Sequence, residues 1–287
     1  ESAERVFLSS GTTQSDRRSR HYMFNLKLYE AAIRRHFKAH LLPDRDRMLT
    51  FVLMPPADQV PDSSLSYMLS YLLREFGEPG SDHFVSTNDG HEMQLASHQL
   101  AARLAAVEEP VMLLGTSFSF VHFLDHCNDN HLRFALPDGS RLMDTGGFKG
   151  RSREVNRDDL CQLCEEILGV PPDFCVNEYG MSEMSSQFYD HVAGELTEGS
   201  QSYRPPHWVR TLVIKLETMR VAKTGEVGLL RHFDLANRGS AMVSQTEDLG
   251  RAHNDGFVLV GRAEGAEARG CSIAMDELLL RENDTSC

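Results

Sequence analysis

Apolar residues follow a helical period through the first part of the chain. In FNLKLYEAAIRRHF, residues 24–37, this period places four apolar side chains near one helix face: Leu26, Ala32, Ile33 and Phe37. DSSLSYMLSYLLREFG, residues 62–77, begins with capping residues and ends in glycine, which predicts a second helix. HEMQLASHQLAARLAAVEEP, residues 91–110, predicts a third helix.

Short apolar runs between these helices predict buried strands. MLTFVLMPP, residues 48–56, stops at two prolines, and VMLLGT, residues 111–116, follows the third helix. Strands alternating with helices are typical of an α/β layer architecture. From about Arg204 the runs become short and β-branched, separated by glycine and polar turns. We therefore expect an α/β core over residues 1–203 and a β-rich subdomain over residues 204–287.

Composition and charge exclude several classes of protein. The 287 residues are 41% apolar and carry a formal net charge of -13. Phosphate polymers and anionic membranes repel such a chain, so we expect neither nucleic acid nor a membrane as a partner. The six cysteines are too sparse for a secreted disulfide framework, and the first residues lack the features of a signal peptide. We therefore expect a cytoplasmic protein.

The stretch FLSSGTTQSDRRSR, residues 7–20, is a candidate phosphate-binding loop. Glycine makes backbone N–H groups accessible, and hydroxyl side chains can bond phosphate oxygens. The candidate contacts are Ser9, Ser10, Gly11, Thr12 and Thr13. The sequence has no GxxxxGK pattern, which excludes a P-loop NTPase of the usual kind. On composition alone, an ordinary loop is the alternative.

A second candidate segment is CVNEYGMSEMSSQFYD, residues 175–190. Gly180 allows a tight turn after an extended run, and Tyr179 offers a ring face. Ser182 can hold a phosphate, and a carboxylate at Glu183 is tolerated beside phosphate where a cation such as Mg²⁺ lies between them. The alternative is a helix N-terminus capped by Ser182, with Glu183 favourable to the helix dipole.

Two further segments carry candidate contacts. SQTEDLGR, residues 244–251, places Asp248 at a predicted strand end before glycine, where the carboxylate can accept both hydroxyls of a ribose. VLVGRAEGAEARGCSI, residues 258–273, places Arg262 after another predicted strand. Neither segment is specific by itself, because an Asp-Leu-Gly turn is common in β proteins.

Taken together and in order, SSGTT, YGMSE, TEDLG and GR with RGCSI resemble the motifs of the adenylate-forming superfamily. This superfamily contains acyl-CoA synthetases, peptide-synthetase adenylation domains and luciferases. The resemblance implies an α/β fold of the large N-terminal domain type, with layered sheets and helices followed by a β-rich subdomain. Only 14 residues follow Ile273. We therefore expect the fold without the usual C-terminal lid domain and its lysine, which favours self-acylation over transfer to coenzyme A.

Within the superfamily, the chain is most similar to the acyl-protein synthetase subunit of the fatty-acid reductase of bacterial bioluminescence and its non-luminous relatives. The similarity rests on three segments: DTGGFKGRSREV, NEYGMSEMSSQFYD and GRAEGAEARGCSIAMDEL. The resemblance implies that ATP activates a carboxylic acid, a fatty acid in that family, as an acyl-AMP. The acyl group then passes to an enzyme cysteine for delivery to a reductase or acyltransferase partner.

Cys271 matches the acyl acceptor of that family. Arg269 and Gly270 precede it, giving a positive charge that favours the attacking thiolate and a flexible joint that lets it move. Without the resemblance, a small buried cysteine is the alternative interpretation.

The segment GGFKGR supplies a candidate catalytic cation. Lys149 lies between glycines and can offset negative charge as the carboxylate meets the α-phosphate. The resemblance places Gly146 and Gly147 against adenine or the acid. The alternative for Lys149 is a solvated loop lysine.

The phosphate loop departs from the superfamily pattern. Gln14 and either Arg17 or Arg18 stand where glycine and lysine usually follow. Arginine keeps the charge but binds phosphate as a planar fork. Two other functions stay open: a carboxylate ligase similar to phenylacetate-CoA ligases, acting on CoA or a carrier protein, and a catalytically silent scaffold of this fold.

Three other patterns favour packing over chemistry. Cys161 and Cys164, with Cys175 further on, lack a second CxxC pair and lie in a helical pattern, which disfavours zinc. His122 and His126 lack an HExxH motif. Ser117 lacks the GxSxG form of a hydrolase elbow.

Overall fold

The computed structural model describes residues 2–9, 18–87, 93–146, 155–195, 202–254 and 256–263. Its helices are α1 (Leu26–Leu41), α2 (Ser64–Phe76), α3 (Ser97–Leu104), α4 (Ser117–Asp129) and α5 (Arg157–Leu168). Its strands, in chain order, are β1 (Arg5–Leu8), β2 (Arg20–Met23), β3 (Leu49–Leu53), β4 (Asp82–His83), β5 (Val85–Thr87), β6 (Met93–Leu95), β7 (Val111–Thr116), β8 (Arg141–Thr145), β9 (Cys175–Tyr179), β10 (Phe188–Tyr189), β11 (Val209–Ile214), β12 (Val227–Asp234), β13 (Val243–His253) and β14 (Gly256–Arg262).

A six-stranded sheet forms the centre of the α/β part, in the order β10-β9-β8-β7-β3-β4. Neighbouring strands from β4 to β9 pair in parallel, and β10 pairs antiparallel with β9. Strands β7 and β8 are buried along their whole length, as expected of a parallel sheet covered on both faces. The carboxyl ends of β7, β8 and β9 therefore meet at one edge of the sheet.

The capping residues read from the sequence explain the helix boundaries. Ser63 accepts a hydrogen bond from the backbone N–H of Ser66 at the start of α2, and Gly77 follows its last residue. Thr116 forms a capping box with Ser119, so the chain turns directly from β7 into α4. The predicted helix over residues 91–110 is only partly correct, because Met93–Leu95 forms β6 and the helix spans Ser97–Leu104 alone. The extended residues pair with β5, an interaction that no local helical period reveals.

The last third of the chain is a four-stranded antiparallel sheet in the order β11-β12-β13-β14, which confirms its β-rich character. The prediction that Asp248 lies at a strand end is wrong. The residue lies inside β13, next to a register shift between Leu249 and Gly250. Such an irregularity re-aims side chains inside a strand, so the Asp-Leu-Gly sequence marks a bulge and not a turn.

Aromatic side chains join the two sheets. Tyr179, at the end of β9, contacts Phe188 and Phe257 with ring centroids 5.7 Å and 5.5 Å away. Tyr203 stacks on Phe257 at 5.4 Å. Because this cluster draws residues from both sides of the predicted boundary at residue 203, the two parts share a core, and the domain boundary stays a prediction. Among the described residues, no helix is both long and apolar enough to cross a membrane.

Candidate active site

The base of the predicted phosphate loop is closed by the hairpin of β1 and β2. Ser9 and Ser19 face each other, with the Ser9 N–H donating to the Ser19 carbonyl at 3.0 Å and the Ser19 N–H to Ser9 Oγ at 2.9 Å. Arg18 donates to the Ser9 carbonyl at 2.8 Å and to the Asp62 carboxylate at 2.8 Å. Arg18 thus holds the loop base against the segment before α2. Arg17 lies outside the described residues.

The start of α2 connects this hairpin to the turn after β9. The Leu8 N–H donates to the Asp62 carbonyl at 2.9 Å. Two residues further on, Ser64 Oγ lies 3.0 Å from Ser182 Oγ. The predicted phosphate contacts Ser9 and Ser182, far apart in sequence, are therefore brought to the same end of the sheet. Residues 181–187 contain no helix, so the alternative of a helix capped by Ser182 is wrong.

Glu183 is the predicted metal ligand, and its side chain is 36% exposed. Its Oε1 lies 4.0 Å from His21 Nε2 on β2, beside the base of the predicted phosphate loop. Its backbone carbonyl accepts a hydrogen bond from Asn237 Nδ2 at 2.7 Å. A carboxylate that is anchored through its backbone and accessible through its side chain fits a hard cation such as Mg²⁺, which prefers oxygen ligands.

Tyr179, Asp248 and Arg262 meet where β9 approaches the four-stranded sheet. The Tyr179 hydroxyl donates to Asp248 Oδ2 at 2.8 Å, and Arg262 Nε lies 3.3 Å from Asp248 Oδ1. Burial raises the pKa of Tyr179, and the negative charge of Asp248 raises it further. The phenol therefore stays protonated and acts as the donor. Three residues predicted separately thus form one cluster. The Asp248 side chain remains 19% exposed.

The turn after β8 lies beside the turn from β7 into α4. Gly146 has φ 91, in the left-handed region that favours glycine. Its carbonyl accepts a hydrogen bond from Ser117 Oγ at 3.3 Å, and the same hydroxyl donates to Asp144 Oδ2 at 2.6 Å. Within the described part of the chain, Ser117 is buried and bonds Asp144, Thr145 and Gly146 but no histidine, which disfavours a hydrolase nucleophile.

A buried ionic network, absent from the sequence predictions, holds the carboxyl ends of these strands. Arg157, the first residue of α5, bonds Asp144 and reaches Asp190 Oδ2 at 3.2 Å. Asn177 Nδ2 donates to Asp144 Oδ2 at 2.9 Å, and the Asn177 N–H donates to Asp190 Oδ1 at 2.8 Å. Burial acts to lower the pKa of Arg157, but the charges of Asp144 and Asp190 raise it. The sequence signal for this network was the presence of polar residues inside apolar runs, as in RLMDT, residues 141–145, and CVNEY, residues 175–179.

Glu178 is a second side chain that the sequence predictions missed. It is 3% exposed, and the Thr145 hydroxyl donates to its Oε2. A Cβ added to Gly180 would lie 2.3 Å from Glu178 Oε1. The absence of a side chain at Gly180 therefore lets this carboxyl approach the turn closely. Burial raises the pKa of Glu178 to about 7, opposed by the hydrogen bond from Thr145 and assisted by Asp144.

The seven other predicted site residues lie outside the described residues: Ser10, Gly11, Thr12, Thr13, Gly147, Lys149 and Cys271. Their roles stay predictions.

The cysteines and histidines whose patterns favour packing are buried or half-buried. Cys161 and Cys164 lie on α5 beside Cys175. A hydrogen bond with Cys175 and burial raise the pKa of Cys161, so its thiol stays protonated. Within the described ranges, no group of three or more His, Cys, Asp or Glu side chains is arranged to hold a metal ion. His122 and His126 lie on α4 and are half-buried.

Comparison with known proteins identifies the family. The family model described as acyl-protein synthetase, LuxE, matches residues 70–280. The chain belongs to this family. The matched range contains the turns after β8 and β9 and the Asp248 cluster, which confirms the resemblance drawn from the motifs. A curated relative, the long-chain-fatty-acid–luciferin-component ligase of Aliivibrio fischeri, is 23% identical over 151 residues, which cover 52% of this chain and 38% of that protein.

Solved structures confirm the fold of this acyl-protein synthetase family member. ATP-bound MatB from Rhodopseudomonas palustris superposes with a TM-score of 0.60 at 14% identity, covering 90% of this chain and 47% of that one. A long-chain-fatty-acid-CoA ligase, FadD1, from Archaeoglobus fulgidus has a TM-score of 0.61 at 13% identity, covering 96% and 53%. The chain spans about half the length of these structures and less of the curated relative.

Proposed function

We propose that this chain activates a carboxylic acid, in particular a fatty acid, with ATP and transfers the acyl group to its own Cys271. The carrying observation is a set of contacts in a chain of the acyl-protein synthetase family. The start of α2 contacts both Leu8, just before Ser9, and Ser182; Glu183 lies beside His21, and Tyr179 donates to Asp248. In this proposal the base of the phosphate loop and Ser182 face the phosphates. Asp248 accepts the ribose hydroxyls, and Glu183 holds Mg²⁺.

The reaction is proposed to have two steps. In the first, a carboxylate oxygen of the acid attacks the α-phosphorus of ATP, the acyl-AMP anhydride forms and pyrophosphate leaves. Lys149 is the proposed cation that offsets the charge gathered there. In the second, the Cys271 thiolate attacks the acyl carbon, a thioester forms and AMP leaves, with the thiol proton released to solvent. Mg²⁺ would neutralise phosphate charge during the first step.

The arrangement of the described groups supports the proposed nucleotide contacts. The turn after β9 packs against the Glu178 carboxyl at Gly180, which fixes the position of its backbone. Asp248 is oriented by Tyr179 and Arg262 and still partly accessible, as a ribose contact needs to be. The thioester would then be delivered to a reductase or acyltransferase protein, a partner proposed from the family.

Labelling of the protein tests the proposal. Incubation with ATP and radiolabelled fatty acid is expected to give a hydroxylamine-sensitive protein label that is lost in Cys271→Ser. Cys287→Ser, in the same C-terminal segment, is the matched control and should keep the label. Acid-dependent exchange of pyrophosphate into ATP should persist in Cys271→Ser, because adenylation precedes the thiol step.

Other outcomes distinguish the alternatives. A label that survives in Cys271→Ser would overturn the acceptor assignment. Exchange without protein label, with product appearing on added CoA, would identify a CoA ligase. Absence of ATP binding in calorimetry would favour a silent scaffold.

A further inference from the structure

Glu178 is a buried carboxyl that the proposed reaction does not use. It pairs in register with Thr145, so the last residue of β8 and the penultimate residue of β9 face each other across the sheet. Thr145 donates its hydroxyl hydrogen to Glu178 Oε2. Within the described part of the chain, no other hydrogen bond to this carboxyl is present. One neutral donor is little compensation for a fully buried carboxylate.

The Glu178 carboxyl contacts the turn after β9 and the end of β8, just before Gly146. Its Oε1 fills the space that the missing side chain of Gly180 leaves, at 2.3 Å from the position of a Cβ there. Its Oε2 is bonded to Thr145, which immediately precedes Gly146. The charge of this one group is therefore felt by the turn after β8 and by the turn after β9.

The surroundings of Glu178 contain negative and neutral groups. Tyr189 pairs with it in register from β10, whereas Asp144 on β8 and Tyr203 before β11 interact with it electrostatically. The two tyrosines are neutral, because burial raises the pKa of each. The nearby cation Arg157 is engaged by Asp144 and Asp190. Burial raises the pKa of Glu178 itself to about 7, so both of its protonation states are populated near neutral pH.

We propose that Glu178 is a proton-linked positioning residue of the two nucleotide-binding turns and that ATP binds to the form with a neutral Glu178. This inference rests on the proposed function, because it assigns ATP to these turns. An ionised Glu178 would place a buried negative charge behind the turn after β9, whose Ser182 is proposed to face the phosphates, and little solvent would screen this charge. The neutral carboxyl keeps its contact with Thr145 and carries no charge to repel the ligand.

The linkage has a defined direction. If ATP binds the neutral form, binding draws Glu178 towards protonation, and the affinity for ATP falls as pH rises through the pKa of the free protein. We expect the dissociation constant of Mg-ATP to rise about a hundredfold between about pH 6 and about pH 9, beyond the change that the nucleotide's own titration causes.

Two near-isosteric variants separate this role from a purely structural one. Glu178→Gln is neutral at every pH, so its Mg-ATP affinity should stay near the low-pH value of the wild type. Thr145→Val removes the hydrogen bond that favours the ionised carboxyl, so the loss of affinity should move to higher pH. Calorimetric titration with Mg-ATP, without the acid substrate, measures the dissociation constant in all three proteins.

Each outcome decides between the claims. If the wild type binds Mg-ATP and the affinity of Glu178→Gln has the same pH dependence, the positioning role is overturned while the proposed function stands. If Glu178→Gln does not fold, Thr145→Val decides, since an unshifted pH dependence there contradicts the inference. If the wild type binds no Mg-ATP at any pH, the proposed function fails and this inference fails with it.

Discussion

The two sheets keep their carboxylates in contrasting surroundings. At the edge of the six-stranded sheet, Asp144 is 1% exposed and is bonded to Arg157, Ser117 and Asn177. On the four-stranded sheet, the Glu247 side chain beside Arg262 is 47% exposed, and the Asp248 side chain is 19% exposed. The first set is neutralised from within the protein and fixes the strand ends. The second set remains accessible to water, and therefore to a ligand with hydroxyl groups.

The largest effect is expected from removing the cation of the buried network. Arg157→Met leaves Asp144 and Asp190 without this partner in a region from which water is excluded, and should lower the free energy of unfolding by ~3–5 kcal/mol. Urea unfolding at neutral pH measures this change. Arg262→Met is the matched variant, because its carboxylates are accessible to water, and should cost at most ~1 kcal/mol.

Equal losses in the two arginine variants would contradict the contrast between the sheets. A large loss for Arg262→Met alone would reverse it. A retained far-ultraviolet circular dichroism spectrum is the control that each variant keeps its secondary structure.

The sequence was most informative where a single segment determines its own structure. α2 follows from Ser63, its apolar period and Gly77, and β7 follows from an apolar run with no polar interruption. The order of motifs was sufficient to identify the family, because each motif carries its residues at fixed local spacing. The ring of Tyr179 and the turn at Gly180 were predicted for the same reason.

Contacts between distant segments could not be predicted. In the sequence, Arg157 is indistinguishable from a solvent-exposed basic residue at the start of a helix. Only the fold brings it into contact with Asp144 and Asp190. The sequence shows Glu178 only as a polar position in a strand, and its position between Thr145 and Tyr189 depends on the neighbouring strands β8 and β10. The pairing of β5 with β6 likewise overrode a helical pattern.

A second contrast concerns glycine. A Cβ on Gly228 in β12 would lie 2.3 Å from the Ile214 carbonyl oxygen, which is backbone of the adjacent strand. At Gly180 the nearest atom belongs to the Glu178 side chain. Gly228→Ala should therefore cost ~2–3 kcal/mol of unfolding free energy, and Gly180→Ala about 1 kcal/mol, since a side chain can yield more readily than a strand.

The double variant Gly180→Ala/Glu178→Ala sharpens this prediction. It should recover part of the stability lost in Gly180→Ala, measured by urea unfolding, because the added methyl group gains the space of the carboxyl. No recovery would place the cost in the backbone of the turn and not in the contact with Glu178.

Protonation of a buried histidine is the next largest effect. His232 on β12 lies among the rings of Tyr179, Phe188 and Phe257, and burial lowers its pKa to about 3. The unfolded chain binds a proton near pH 6.5, so the contribution of neutral His232 to stability is complete above that pH. It is lost progressively as pH falls towards 3, by ~2 kcal/mol at about pH 5.

Replacing His232 by phenylalanine should flatten this part of the stability profile. Urea unfolding across the acidic range compares the variant with the wild type. His131→Asn is the control, because His131 is exposed and has φ 54, a conformation that asparagine tolerates. An unchanged acid slope in His232→Phe would show that other groups carry the acid sensitivity of the region.

The smallest expected effect lies at the hydrogen bond that joins the two sheets. Tyr179→Phe removes the hydroxyl that donates to Asp248 at 2.8 Å and keeps the ring between Phe188 and Phe257. Arg262 still faces the carboxylate, so the unfolding free energy should fall by only ~1 kcal/mol. Mg-ATP affinity should fall about fivefold in calorimetry, because Asp248 loses part of its orientation towards the proposed ribose site. Tyr22→Phe, at an exposed ring on β2, is the matched control. If the two variants bind Mg-ATP equally well, the bond between the sheets stabilises the fold without orienting the proposed ribose contact, and Asp248 is held in place by Arg262.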